Sequence, residues 1–212
     1  MNKKAIIYDL DNTLYTVASI GDKLFASLFE LIEKEGIPGE RMPRIKDDIM
    51  RKPFQVVARQ HHFSNELTQK GVEHLQNLSF SEKIELHADY PEIKKLPQVR
   101  FLVTTGFTKL QHCKIRNMGI EHDFKEVHVV DPMSSNQTKR TVFTDIMQRH
   151  RYSPAEVLVV GDDPESEIQA ATDLGIETVL YDKNNRYHEP TATYKIKDFS
   201  ELGSLIFGED SD

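Results

Sequence analysis

Two aspartates near the start of the chain, Asp9 and Asp11, stand in the run Tyr-Asp-Leu-Asp-Asn-Thr-Leu, directly after a short apolar segment. If that segment is a strand, residues two apart can point to the same side of it. Two carboxylates so close repel each other unless something neutralises them. A hard divalent cation with oxygen ligands does so, and magnesium is the usual one beside phosphate. Taken alone, the two aspartates could equally be turn and capping residues.

Further polar groups follow later apolar segments of the sequence. Thr104 and Thr105 come after the second segment, where a hydroxyl can hydrogen-bond a phosphate oxygen. Lys139 lies near the start of a helical pattern, where the helix dipole and the ammonium both favour an anion. Asp162 and Asp163 end the fourth segment and supply more carboxylate for a cation. Together, these groups predict a site for a divalent cation and a phosphate.

The elements that must position these groups are five short apolar segments, rich in Val and Ile, at 5–8, 99–103, 127–130, 157–160 and 178–181. Because they lack clear polar alternation, they suit strands that are buried on both faces of a parallel sheet. Helical patterns separate the later segments. The alternation predicts an α/β fold with a doubly wound (Rossmann-like) parallel sheet, in which ligands collect at the carboxyl ends of the strands.

Local signals indicate where the helices begin and end. Gly119 and Gly175 are each predicted to close a helix. Asp163 is predicted as an N-cap, with Pro164 at the first helical position. Since an N-cap aspartate need not bind a metal, the contribution of Asp163 to a metal site stays open.

The region 15–88 breaks the alternation of strands and helices. It is rich in Glu, Lys, Gln and His, has apolar residues at helical spacing, and is punctuated by Pro38, Pro43 and Pro53. We therefore predict a helical insertion at residues 15–88 in a core domain of residues 1–14 and 89–212.

Composition narrows the classes of partner. Lys and Arg total 27 against 34 Asp and Glu, a net charge of −7, which argues against nucleic acid or an anionic membrane as the main partner. The N-terminal run has no signal-peptide core, and the single Cys113 cannot form an internal disulfide. The negative net charge does not exclude a small phosphorylated molecule as partner, since a bound cation can reverse the local field. We expect a cytoplasmic protein, with its oligomeric state open. The acidic tail 209–212 is expected to be frayed.

The set of motifs resembles the haloacid dehalogenase (HAD) superfamily over about residues 3–14 and 98–182. Residues 9–13 resemble its first motif, Asp-x-Asp-x-Thr, and residues 103–106 its second. Lys139 corresponds to the third motif, and residues 161–171 resemble the fourth. Two positions depart from the family pattern: Glu167 stands where a second Asp is usual, and Arg140 replaces the common Pro after the lysine.

This resemblance implies the phosphatase branch of the superfamily, with residues 15–88 as a helical cap and a small phosphorylated metabolite as substrate. In capped members, specificity comes from side chains of the cap. The candidates here, each of which could also be an ordinary surface residue, are Arg51, Lys52, Arg59, His61 and His62.

The resemblance implies that Asp9 is the nucleophile, which forms an aspartyl phosphate, and that Asp11 is the general acid and base. It also implies Mg2+ as cofactor, held by Asp9, the backbone carbonyl of Asp11, and Asp162. The residues that would bind the substrate phosphate are Thr104, Thr105 and Lys139.

Two other functions remain open at this point. A phosphomutase would share all four motifs and differ mainly in how its cap excludes water. A non-catalytic protein that binds a phosphorylated metabolite could use the same fold, since fold does not fix function. Asp11 does separate this chain from the dehalogenases of the superfamily, which lack an acid two residues after the nucleophile. Whether Glu167 reaches the metal stays open as well.

Overall fold

A single parallel sheet organises the described residues, 2–189 and 191–208, of the computed structural model. Its strands, in the order β3-β2-β1-β4-β5-β6, are β1 (Ala5–Tyr8), β2 (Val99–Thr105), β3 (Glu126–Val130), β4 (Val157–Gly161), β5 (Glu177–Tyr181) and β6 (Tyr194–Ile196). The strand order reverses at β1, which pairs with both β2 and β4. The predicted doubly wound parallel sheet is confirmed, and the crevice outside β1 is where such sheets bind ligands. The acidic tail 209–212 lies outside the described residues.

Each of the five predicted strands lies within one of β1 to β5. The sixth strand, β6, was not predicted. It has only three residues, pairs in parallel with β5 at the edge of the sheet, and alternates in burial. A strand so short has no apolar run long enough to stand out in the sequence.

Five helices form the insertion between β1 and β2, namely α1 (Ala18–Leu24), α2 (Ala26–Lys34), α3 (Met42–Ile49), α4 (Phe54–Gln60) and α5 (Asn65–Asn77). Pro43 lies in the first turn of α3, where its missing N–H costs nothing, so it begins a helix rather than interrupting one. The α5 helix starts at Ser64, whose hydroxyl accepts a 3.0 Å hydrogen bond from the Leu67 N–H. The helical insertion predicted between the first two strands is confirmed.

The remaining helices cover both faces of the sheet. They are α6 (Tyr90–Lys95), α7 (Thr108–Met118), α8 (Lys139–His150), α9 (Gln169–Thr172) and α10 (Glu201–Phe207). Because side chains alternate along a strand, Ile6 and Tyr8 face α6, α7, α10 and the insertion, whereas Ala5 and Ile7 face α8 and α9. The sheet is thus buried on both sides, as its apolar strands predict. Over the described residues, no helix is both long and apolar enough to cross a membrane.

The predicted helix ends are confirmed. Gly119 and Gly175 both have φ of +70°, the left-handed conformation that ends a helix. The Asp163 carboxylate accepts the Glu165 N–H at 2.9 Å, as an N-cap does. The turn that follows, Pro164–Ile168, is π-helical and leads into α9.

The segment that returns from α5 to α6 is bonded to α7. The Cys113 thiol donates to the Phe80 carbonyl at 2.7 Å, and the Asn117 amide donates to the same oxygen at 2.5 Å. A few residues later, the Ile84 N–H donates to the Asn117 carbonyl at 3.3 Å. The helix that directly follows β2 therefore holds the return segment in place.

Candidate active site

A cavity of about 1200 Å³ lies between the carboxyl ends of the strands and the helical insertion. The structure brings all six residues of the predicted site to its wall: Asp9, Asp11, Thr104, Thr105, Lys139 and Asp162. They come from the ends of β1, β2 and β4 and from the start of α8. The insertion supplies the opposite wall, in which Arg51 and Phe54 lie.

Asp9 is the first residue after β1, and its carboxylate is buried. Its N–H donates to the Val160 carbonyl of β4 at 2.9 Å, so the residue stays in the line of the sheet. Lys139, the first residue of α8, donates to Asp9 Oδ1 at 2.6 Å and to Glu167 Oε2 at 2.7 Å. A reciprocal pair of hydrogen bonds between Thr138 and Thr141 begins this helix and so fixes the start of the Lys139 side chain.

Glu167 reaches the site in spite of its departure from the family pattern. It lies in the π-helical turn, is 1% exposed, and accepts the Asp163 N–H on Oε1 at 2.8 Å. Carboxylate oxygens of Asp9, Asp162 and Glu167 lie within 4.8 Å of one another. The third member of this acidic cluster is thus Glu167, which the sequence left open.

The acidic cluster fits a hard divalent cation, because all of its donors are carboxylate oxygens. Burial raises the pKa of Asp9 and of Asp162, and the negative charge of Glu167 raises both further. Lys139 acts in the opposite direction at Asp9. Even with the Lys139 ammonium and the Arg51 guanidinium, which lies 3.8 Å from Asp162, the three carboxylates leave an excess of negative charge that a divalent cation would neutralise.

The carboxylate of Asp11 does not join this cluster but faces α7. Lys114 Nζ lies 2.9 Å from Asp11 Oδ1 and 3.0 Å from Oδ2. Gln111 Nε2 donates to Oδ2 at 2.9 Å, and the Tyr15 hydroxyl donates to Oδ1 at 2.5 Å. Burial opposes ionisation of Asp11, yet Lys114 and these hydrogen bonds lower its pKa below the ordinary value. Asp9 and Asp11 therefore lie in different electrostatic surroundings, although they are two residues apart.

Thr104 shares a partner with Asp11. Its hydroxyl is buried and accepts a 2.6 Å hydrogen bond from Gln111 Nε2. Thr105 lines the cavity, and its carbonyl accepts a longer bond of 3.4 Å from the same amide. Gln111 packs against Gly106, where a Cβ would lie 2.9 Å from the Gln111 amide carbon. A single amide thus links the end of β2 to the loop after β1.

The insertion contributes Arg51, whose guanidinium lies 3.8 Å from Asp162 Oδ2. Lys52 also lines the cavity. Of the other candidates in the cap, Arg59 and His62 are exposed, and His61 is buried with its ring 2.8 Å from Asp48. Only two of the five predicted specificity residues, Arg51 and Lys52, are therefore placed at the wall of the cavity.

Sequence reasoning missed Gln111 and Lys114. A signal was present, because both are polar residues on the apolar face that Leu110, Ile115 and Met118 define on α7. Spacing of three residues puts Gln111 and Lys114 on the same side of the helix. A buried lysine needs a partner of opposite charge, but the pattern could not say which carboxylate it would meet.

The chain belongs to the haloacid dehalogenase-like hydrolase family, whose model matches residues 6–181. One relative is a glyceraldehyde 3-phosphate phosphatase from Methanopyrus kandleri, which is 23% identical over 92% of this chain and 91% of the relative. Another is a ribulose-1,5-bisphosphate 5-phosphatase from Halopiger xanaduensis, 22% identical over 95% of this chain and 98% of the relative. The family membership that the motifs predict is confirmed.

Solved structures with the same fold belong to this family too. A haloacid dehalogenase-like hydrolase from Streptococcus pneumoniae has a TM-score of 0.72 at 17% identity, covering 97% of this chain and 99% of its own. The HAD-hydrolase YfnB from Bacillus subtilis, in a crystal structure bound to magnesium, has a TM-score of 0.68 at 17% identity, covering 98% of this chain and 100% of its own. At these identities the likeness establishes the fold.

Proposed function

We propose that this protein is a magnesium-dependent phosphatase that cleaves small phosphate monoesters through an aspartyl phosphate on Asp9. One observation carries the proposal: a buried carboxylate at the end of β1 lies between a lysine and two further carboxylates, at the wall of the cavity that separates the strand ends from the insertion. The relatives named as phosphatases support the same class of reaction.

The residues that would hold Mg2+ are Asp9, Asp162 and the backbone carbonyl of Asp11, with Glu167 completing the acidic cluster. When bound, magnesium offsets the repulsion between the Asp9 carboxylate and the phosphate and polarises the phosphoryl group. The Bacillus subtilis relative of the same fold is described as bound to magnesium, which supports magnesium as the metal. Lys139 keeps its ammonium beside Asp9 and, with the Thr104 hydroxyl, binds the phosphate oxygens.

In the first step, an oxygen of Asp9 attacks phosphorus, and the bond from phosphorus to the ester oxygen breaks. The departing alkoxide takes a proton from the Asp11 carboxyl and leaves as the alcohol. Because Lys114 lowers the pKa of Asp11, the carboxyl takes up this proton from solvent when the negatively charged substrate binds beside it. In the second step, a water molecule attacks phosphorus, Asp11 takes a proton from it, and the bond between phosphorus and Asp9 breaks. The products are the alcohol and inorganic phosphate, and both aspartates return to their starting forms.

Residues 15–88 act in this proposal as the cap, and residues 1–14 and 89–212 as the core. The cap covers the strand ends and brings Arg51 and Lys52 to the wall of the cavity. A covered site admits a small phosphorylated metabolite more readily than a folded phosphoprotein. In this proposal, Arg51 and Lys52 bind anionic or hydroxyl groups of the substrate beyond the phosphate.

The test is release of inorganic phosphate from p-nitrophenyl phosphate and from a panel of phosphorylated metabolites, with magnesium and with EDTA. Asp9→Asn should abolish turnover, because an amide cannot form the acyl phosphate. Asp22→Asn, at an exposed position of α1, is the matched control and should keep full activity. Turnover by Asp9→Asn within tenfold of wild type would refute the nucleophile. Isomerisation of a substrate without phosphate release would show a phosphomutase instead.

A further inference from the structure

Two buried polar side chains of α7, Gln111 and Lys114, face the candidate site from the core. They are 1% and 3% exposed and lie about one helical turn apart. Within the described residues, neither side chain forms a hydrogen bond to the acidic cluster of Asp9, Asp162 and Glu167. Their bonds go instead to Asp11 and to the end of β2.

We propose that Gln111 and Lys114 are positioning residues, which together fix the Asp11 carboxylate and the Thr104 hydroxyl relative to each other. The inference rests on the proposed function, because it assigns a task to residues that support the general acid and the phosphate-binding hydroxyl. Neither residue is proposed to touch the reacting atoms.

The amide of Gln111 has two N–H groups, and the structure accounts for both. One bond goes to Thr104 Oγ1 at 2.6 Å and one to Asp11 Oδ2 at 2.9 Å. Because the Thr104 hydroxyl accepts from the amide, its own hydrogen stays available for a phosphate oxygen. Gln111 therefore orients a donor for the phosphate and holds the carboxylate that serves the leaving group.

Lys114 holds Asp11 from the other side. Its ammonium contacts both carboxylate oxygens, at 2.9 and 3.0 Å, while the Tyr15 hydroxyl donates to Oδ1 at 2.5 Å. With the Gln111 amide, three side chains from two chain segments therefore donate to the Asp11 carboxylate and fix its orientation. The segment β2-loop-α7 thus carries Thr104, Gln111 and Lys114 on one continuous stretch of chain.

Leaving-group dependence separates this role from simple structural support. Lys114→Met should slow phosphoryl transfer from glycerol 2-phosphate, an alkyl ester that needs a proton on its leaving oxygen, by about 10- to 100-fold. With p-nitrophenyl phosphate, whose phenolate leaves unaided, the loss should stay within about threefold. Lys114→Arg, which keeps the charge and can bind a carboxylate with two N–H groups, should recover most of the rate. Both esters are measured in a single turnover.

A double-mutant cycle with Asp11 makes the assignment specific. In an Asp11→Asn background, Lys114→Met should cause no further loss, because the group that it positions is already absent. If the rate loss of the double variant equals the product of the two single losses, the proposal is overturned. Equal losses of Lys114→Met with the two esters would overturn it as well. If Lys114→Met alone folds poorly because Asp11 is left as an unpaired buried charge, the double variant, which lacks both charges, can still be compared with Asp11→Asn. Tyr15→Phe, which removes one of the donors, should show the same ester dependence more weakly.

A second readout does not require turnover. Gln111→Leu removes the amide that orients the Thr104 hydroxyl, so the affinity for inorganic phosphate in the presence of magnesium, measured by calorimetry, should fall by about tenfold. Lys109→Met, an exposed lysine of the same helix, is the matched control and should change neither affinity nor rate. Unchanged phosphate affinity in Gln111→Leu would overturn the assignment of Gln111. A wild-type protein that binds phosphate but hydrolyses no ester would refute the proposed function separately.

Discussion

Glu167 lies directly over Gly161, the last residue of β4, so closely that a Cβ on Gly161 would overlap its carboxylate. The same carboxylate accepts from Lys139 at 2.7 Å and from the Asp163 N–H at 2.8 Å. The missing side chain of Gly161 is therefore what lets Glu167 pack against the end of the strand. Through Lys139, that packing also determines where the ammonium sits beside Asp9.

Substitution of Gly161 by alanine should consequently damage both stability and activity. The added methyl group must displace Glu167, which costs about 1–3 kcal/mol for overpacking in a close-packed site. Phosphatase activity should fall at least tenfold, because Lys139 loses a partner. Gly203→Ala in α10, where a Cβ has no neighbour within 4 Å, should instead stabilise the protein by about 0.5–1 kcal/mol. Urea unfolding and steady-state kinetics of the two variants provide the measurement.

Asp11→Asn should separate proton transfer from binding. The substitution keeps the backbone carbonyl, so magnesium and substrate should still bind, while proton transfer, worth typically about 10²–10⁴-fold, is lost. With an alkyl phosphate, the rate of the first step, phosphoryl transfer to Asp9, should fall by this factor. With p-nitrophenyl phosphate, aspartyl phosphate should form faster than water clears it, giving a burst of nitrophenol and then slow turnover. Equal damage to the first step with both esters would show that Asp11 does not donate a proton.

The two neighbouring aspartates at the end of β4 should differ in their effect on magnesium. Asp162 belongs to the acidic cluster, so Asp162→Asn should raise the magnesium concentration for half-maximal activity at least tenfold. Asp163 caps the following turn, a task that asparagine performs as well, so Asp163→Asn should shift that concentration by no more than about threefold. Calcium should inhibit the wild type, because its larger and looser coordination sphere suits in-line attack poorly. Activity that survives exhaustive chelation would contradict the metal assignment.

Glu126 gives the fold a pH dependence away from the site. Hydrogen bonds from Arg149, together with those of His150 and His128, hold its pKa well below the usual range. A depressed pKa contributes stability that is present above the unfolded pKa, near 4.5, and is lost as the pH falls toward the folded pKa. The difference in free energy of unfolding between wild type and Glu126→Gln should therefore be full at pH 6 and shrink between pH 4.5 and pH 3. A difference that stays constant over that range would contradict this reasoning.

Most of the sheet could be predicted from the sequence, because strands that are buried on both faces need runs of Val and Ile that little else produces. Because these strands are parallel, their carboxyl ends bring Asp9, Thr104 and Asp162 to one edge of the sheet. The β6 strand lacked such a run, and α3 began at a proline that suggested a break. Both depend on packing against elements that are distant in sequence.

Side-chain partners within the site could not be predicted in the same way. Sequence spacing suggested that Asp9 and Asp11 serve one cation side by side, yet the structure pairs one with Lys139 and the other with Lys114. That division depends on the orientation of α7 and α8 relative to β1, which no local pattern encodes. Glu167 was uncertain for a related reason, since its reach depends on the π-helical turn that carries it.

The hydrogen bonds from Cys113 and Asn117 to Phe80 limit where the insertion of this protein could be exchanged for that of another protein. A chimera that carries the insertion helices of a relative in place of these five needs two joints, one on each side of the insertion. The first joint lies just after Tyr15, whose hydroxyl must stay with Asp11. The second belongs before Phe80 rather than near residue 88, because Phe80 and Ile84 are hydrogen-bonded to α7, and removal of Phe80 would deprive the Cys113 thiol and the Asn117 amide of their shared acceptor. A chimera joined there keeps Asp9, Asp11, Thr104, Lys139 and Asp162 with their partners in the core and exchanges the five insertion helices.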